Sequence, residues 1–370
     1  MGATVEDIEF GLNSFGDVAT DAGRVMSDAE SLRLLVDEAQ LAESVGLDVF
    51  SIGEHYKEDS VDSATPVVLA AAAQATSRIH LGTSVTVLST QDPVRLYQQF
   101  ATVDGISGGR TEMVLGRASA IESFPLFGYD IAEYEEIFEE KLELFMRLMR
   151  DDRVTWSGKY RTPLEDVRLH PRMPEGGIPT WIGIGGSPDS VIRAARYGLP
   201  LMMAIIGGRP ERFAGHVELY LRALAKYGHR ELPVAQHSIG LIAGSDDEAK
   251  NMHWQYWEPM VQQLSKERGF YPPTPERYAE EVDSGALYVG SPETVAQKMA
   301  KAFRDNHLSR FDLKYDLTHL PRAAREDSIR LFGERVAPRV RELLAEDPGN
   351  WYPTRRPVTQ ITKDGKAVHA

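Results

Sequence analysis

The chain has 370 residues, 42% of them hydrophobic, no cysteine and a formal net charge of -14. Such a length suits one large α/β barrel or two ordinary soluble domains, and the acid excess argues against nucleic acid and an anionic membrane as partners. The lack of cysteine removes disulfides, thiolate zinc sites, iron–sulfur clusters and cysteine nucleophiles.

The N-terminus carries no charged-then-apolar leader pattern. The longest apolar runs, residues 66–73 and 199–206, are too short to cross a bilayer. A cytoplasmic location and no membrane association are expected.

Residues 8–12 alternate as a first strand that ends in Asn13 and Ser14. Ser27 or Asp28 caps a helix with Leu32, Leu35, Val36, Ala39 and Ala42 at helical spacing. Residues 49–52 form a second strand running into Gly53-Glu54-His55-Tyr56. After an alanine-rich helix from Thr65, residues 79–88 read as one continuous β-branched strand, buried on both faces as in a parallel sheet. Asp92-Pro93 opens the next helix, and residues 111–116 form a fourth strand with Arg117 just past its end. A long acidic helix covers 131–149.

Residues 151–178 read as a loop or small hairpin. The fifth and sixth strands are 181–184 and 201–206, a helix follows to about Tyr227, and 234–243 is a seventh strand. Residues 244–290 hold helix and the pair Trp254/Trp257. Ser291-Pro292-Glu293 begins a helix, 311–315 is an eighth strand, 329–344 a last helix and 346–370 a tail. Eight strands alternating with helices predict a (β/α)8 barrel spanning 1–345 as one domain, with insertions near 151–178 and 244–290.

A barrel of this kind carries its chemistry where the strands end. The stretch from Pro179 to Ala195 reads as strand, glycine turn and helix start. Gly185 and Gly186 free the backbone, Ser187 suits an N-cap and Pro188 the first helical position. Such a helix start favours a phosphate, although an ordinary strand-to-helix turn uses the same residues. Arg117 and Ser190 could join the turn around an anion. His55 is the one titratable group of neutral range among the strand ends, either a general acid/base or a structural histidine bonded to a carboxylate such as Glu54. None of the ten histidines sits in a metal-binding cluster, and no Gly-x-Ser-x-Gly elbow appears. A phosphate-bearing cofactor doing the difficult chemistry remains.

These residues resemble the bacterial luciferase-like flavin-dependent monooxygenases. Gly53-Glu54-His55-Tyr56 is similar to the family's Glu-His-His segment. Leu81 to Val85 with Asp92-Pro93-Val94-Arg95, Val103 to Arg110, Ser187 to Pro200, and Val289 to Val295 are similar to further family segments in the same order. The resemblance covers roughly residues 6–345. It implies a barrel binding reduced FMN, or in sister branches a deazaflavin coenzyme. Carried over by position, Arg117, Gly185, Gly186, Ser187 and Ser190 hold the phosphate. His55 faces the ring, Ser84-Val85 takes the place of a non-prolyl cis peptide beside it, and Ala204 and Ile205 wall it. Gly116 stands where light-emitting members have cysteine, and Gly186 where they have an acidic residue, so light emission is not implied.

The expected activity is oxygenation of a small organic substrate with reduced FMN, O2 and a separate flavin reductase. The alternatives are a deazaflavin-dependent dehydrogenase that transfers hydride, and a flavin-binding protein without turnover. Trp156, Trp254, Trp257, Phe270 and Tyr271 could supply a lid, or else peripheral packing. The resemblance also implies a homodimer.

Overall fold

A computed structural model of the chain describes residues 4–117, 122–268, 271–349, 351, 359–361 and 367–369. The barrel strands are β1 (Glu9–Ser14), β2 (Val49–Ile52), β3 (His80–Thr83, resumed at Thr86–Val87), β4 (Met113–Gly116), β5 (Thr180–Ile184), β6 (Leu201–Ala204), β7 (Val234–Ile242) and β8 (Arg310–Lys314). Neighbours pair in parallel around the ring, and β8 lies beside β1. The ring closes between β3 and β4 through a Leu81/Thr111 bridge and the pairing of Thr86 with Leu115. This is the (β/α)8 barrel that the alternation of elements predicts.

The two-residue period of each strand divides its side chains between two cores. Leu12, Phe50, Leu81, Leu115, Ile182, Met203, Phe311 and Leu313 face outward and join the main core beneath the helices. Val114, Trp181, Met202 and Ala235 form a smaller cluster inside the barrel, with Val85 against it. The helices begin at strong caps. Ser27 and Glu30 form a capping box, Asp92 accepts from the backbone N–H of Val94 and Arg95, and Ser291 accepts from Thr294. Caps of this kind contribute about 1 kcal/mol each.

Three elements differ from the sequence expectation. The third strand is not continuous: it breaks at a cis Ser84–Val85 peptide. The last helix begins earlier, at Arg322 directly after Pro321, and runs to Glu346 through a π-helical turn at Phe332–Val336. In that turn Gly333 meets Val45 closely, with room for no larger residue. The tail is not wholly peripheral either, because Trp351 is buried and donates Nε1–H to the Leu308 carbonyl at 2.9 Å.

The first insertion is a hairpin, Val154–Trp156 with Leu164–Val167, and its Trp156 packs into the main core. The second holds the helices Asp246–Arg268 and Pro275–Asp283 and the strand Tyr288–Gly290, which pairs with the far end of β7. Its own core joins Trp257, Tyr278, Val282 and Leu287 to Ile239 and Leu241 of β7 and to Leu317 and Leu320 after β8. Trp254 and Trp257 lie 5.0 and 5.1 Å from the Tyr278 ring, so packing accounts for both. Tyr271 is 74% exposed, and Phe270 lies outside the described residues. No described helix is long and apolar enough to cross a membrane.

Candidate functional site

Because every barrel strand runs the same way, the strand ends share one rim. His55 follows β2, Ser84-Val85 interrupts β3, Arg117 follows β4, Gly185 to Ser187 follow β5 and Ala204 ends β6.

The turn after β5 is open. Gly186 has φ +111°, a conformation that favours glycine. A Cβ on Gly185 would meet nothing within 4 Å, and one on Gly186 would find only Phe213, at 3.9 Å. The helix Pro188–Tyr197 starts here with Ser187 as N-cap, yet the Ser187 hydroxyl makes no capping bond. Its first N–H groups have no intrahelical acceptor, and the helix start lies at the rim after β5. The Nε2–H of His216 donates to the Gly186 carbonyl at 2.9 Å and fixes the turn from below. Ser190 is buried one turn further on.

Arg117 stands next to this turn in an ion pair with Glu135, the second residue of the helix Tyr134–Arg150. The other Glu135 oxygen lies 2.8 Å from Arg193, which also bonds Glu139 at 2.7 Å. Asp189 is near enough to act on the Arg117 charge as well.

The cis Ser84–Val85 peptide fits because three neighbouring strands present glycine. The Ser84 carbonyl presses on Gly53, and a Cβ on Gly116 or Gly183 would lie 2.6 or 3.0 Å from Val85. Asn13 Nδ2 donates to the Ser84 carbonyl at 3.4 Å, and Ser84 Oγ lies 3.3 Å from His237 Nδ1. Burial, with Lys314 nearby, pushes His237 down to about 3, so the imidazole is neutral. Its Nε2 and the Asn13 Oδ1 have no partner among the described residues. Lys314 bonds Asp17 at 2.7 Å and Asp316 at 2.8 Å, and it lies over the Phe15 ring.

Phe15 also packs against His55, ring centroids 4.5 Å apart and planes tilted by 57°. His55 Nδ1 lies 3.4 Å from Glu122 Oε1. The carboxylate beside His55 is therefore Glu122 rather than Glu54, which instead accepts from Tyr56 and Gln91 and is raised by burial. Ala204 faces the mouth, whereas the Ile205 side chain turns into the main core and presents only its backbone.

Along the rim at the ends of β5 and β6 the residues are small, Gly185 and Ala204. Arg117 and the Ser187 helix start lie on this rim at the ends of β4 and β5, and His55 at the end of β2. Sequence reasoning missed Glu135, His216 and His237. Only Lys314 had a signal, its place at the end of β8.

The chain belongs to the luciferase-like monooxygenase family, whose pattern matches residues 9–308. The alkanal monooxygenase alpha chain of the Kryptophanaron alfredi symbiont is 26% identical over 60% of this chain and 61% of its own length. An F420-dependent glucose-6-phosphate dehydrogenase of Rhodococcus erythropolis is 27% identical over 84% of this chain and 94% of its own. The chain spans about half to three fifths of the first curated relatives it matches, 48% to 61% of their length. Among solved structures, the oxygenating constituent of 3,6-diketocamphane monooxygenase from Pseudomonas putida, in complex with FMN, superposes with a TM-score of 0.72. That likeness covers 90% of this chain and 98% of the other at 21% identity, and is one of fold. The matched relatives thus include a monooxygenase and an F420-dependent dehydrogenase.

Proposed function

We propose that this chain is a flavin-dependent monooxygenase that uses reduced FMN and O2 to oxygenate a small organic substrate. The observation that carries this reading is the open Gly185-Gly186-Ser187 turn, whose hydroxyl is uncommitted and whose helix start faces the same rim as His55. These residues fit a flavin phosphate. Ser187, Ser190, the backbone of Gly185 and Gly186, and Arg117 would hold it by charge-assisted hydrogen bonds. Ser84, Val85, Ala204 and the Ile205 backbone would flank the ring. Reduced FMN, delivered by a separate reductase, supplies the activation of O2.

The chain's own residues supply orientation and proton control. With its Nδ1 directed at Glu122, His55 would present Nε2 for proton exchange beside the ring. The neutral His237 fixes Ser84 without placing a second charge near the reacting atoms. The core over β7 and β8 keeps water from that side of the mouth. A homodimer is supported by the helix Thr65–Ala75, apolar nearly all round with Val67 68% exposed.

The Rhodococcus relative favours a second reading, a deazaflavin-dependent dehydrogenase, because its match covers most of both chains. Titration with both cofactors separates the two. Tighter binding of FMN and rapid oxygen consumption by the reduced complex are expected; a strong preference for the deazaflavin coenzyme overturns the monooxygenase reading. His55→Ala should lower turnover about a hundredfold with little change in FMN affinity, and unchanged turnover would remove His55 from the chemistry.

A further inference from the structure

We propose that Glu135 is a built-in rival of the cofactor phosphate and sets how strongly the clamp prefers a phosphorylated flavin. The inference rests on the reading of Arg117 and the Ser187 turn as that clamp.

Glu135 divides its two oxygens between two guanidinium groups, Oε1 to Arg117 and Oε2 to Arg193. Arg193 lies on the helix whose start forms the clamp. The three side chains differ in freedom. Arg117 is 19% exposed and Arg193 10%, but Glu135 is 45% exposed. Arg193 is also tied to Glu139 and lies over the Phe138 ring. The carboxylate is therefore the member that can leave for water at small cost, while the two cations stay. The Arg193 Nη1 is buried and has no partner among the described residues, so one donor is still unused beside the pair.

A phosphate dianion brings more charge and more acceptor oxygens than one carboxylate, and it matches the guanidinium fork. It would take Arg117 from Glu135, and the released carboxylate would turn outward. Asp189 adds a second negative charge near Arg117 and makes the exchange more demanding. A flavin without phosphate gains nothing from the exchange and leaves the Glu135 pair intact. Glu135 thus lowers affinity for every phosphorylated ligand and none for the ring.

The test uses the full chain, as wild type, Glu135→Gln and Glu135→Ala. Each is titrated by flavin fluorescence with oxidised FMN and with riboflavin, and with inorganic phosphate as competitor of FMN. Both substitutions should tighten FMN about tenfold, tighten phosphate in parallel, and leave riboflavin and the melting temperature unchanged. Unchanged or weaker FMN binding in the two variants overturns the inference and shows Glu135 to be a support for Arg117. Equal tightening of riboflavin also overturns it. A wild type that binds neither FMN nor a deazaflavin coenzyme would instead fail the functional reading itself.

Discussion

The floor and the mouth of the barrel treat polarity in opposite ways. At the floor, Arg310 is fully buried and bonds Glu112, both oxygens of Asp312, and Ser51. It also lies over the Trp181 ring, at 5.5 Å. Gly11 and Gly82 give the two carboxylates the space they fill. At the mouth Gly185 and Gly186 line open space, and Asn13 Oδ1 and His237 Nε2 have no partner among the described residues. Buried polar groups are nearly always satisfied, so each exception calls for an explanation. At the floor the charges are paired, whereas these two polar atoms at the mouth are unpaired among the described residues.

The largest effect should come from breaking the floor. Arg310→Met leaves Glu112 and Asp312 as buried, uncompensated charges and should cost about 3–5 kcal/mol. Denaturant unfolding measures it, and a loss below about 1 kcal/mol would mean that the carboxylates are not held charged.

Glu38 sharpens the same point, being a buried carboxylate bonded to the Tyr315 hydroxyl rather than to a cation. Burial pushes it up to about 7. The sign follows from linkage: the folded form holds the proton more tightly, so this contribution is full below about 4.5 and fades as pH rises through 7. Glu38→Gln should match the wild type near pH 4 and exceed its stability near pH 8 by about 3 kcal/mol. Parallel stability–pH curves would show that Glu38 stays ionised.

At the mouth, Gly116→Ala should cost about 1–3 kcal/mol by forcing Val85 aside, and it should weaken flavin binding in step. The smallest effect is Ser187→Ala. Since that hydroxyl makes no capping bond, stability should not change, whereas FMN affinity should fall about tenfold, or about 1.4 kcal/mol. A lower melting temperature with unchanged affinity would make Ser187 an ordinary cap.

What the sequence disclosed was local. Strand alternation, the caps at Ser27, Asp92 and Ser291, and the glycine turn after β5 each depend on residues a few positions apart. The place of the cis peptide, and Ala204 and Ile205 as expected ring neighbours, came from resemblance rather than from spacing, since nothing in residues 79–88 looks interrupted. The polar partners were not legible. Lys314 meets Asp17 across nearly the whole chain, and His237 meets Ser84 from the far side of the ring. Glu135 reads as one more acid on a solvated helix face until the end of β4 is folded against it.

The extra length of β7 has a mechanical result. Gly240 to Ile242 hydrogen-bond to Tyr288–Gly290, so the second core is stitched to the barrel wall by backbone as well as by packing. That half of the canopy is anchored and travels with the wall. After β4, by contrast, Leu126 and Phe127 stand exposed, and the contact of Phe127 with Tyr56 is one of rings, edge to face.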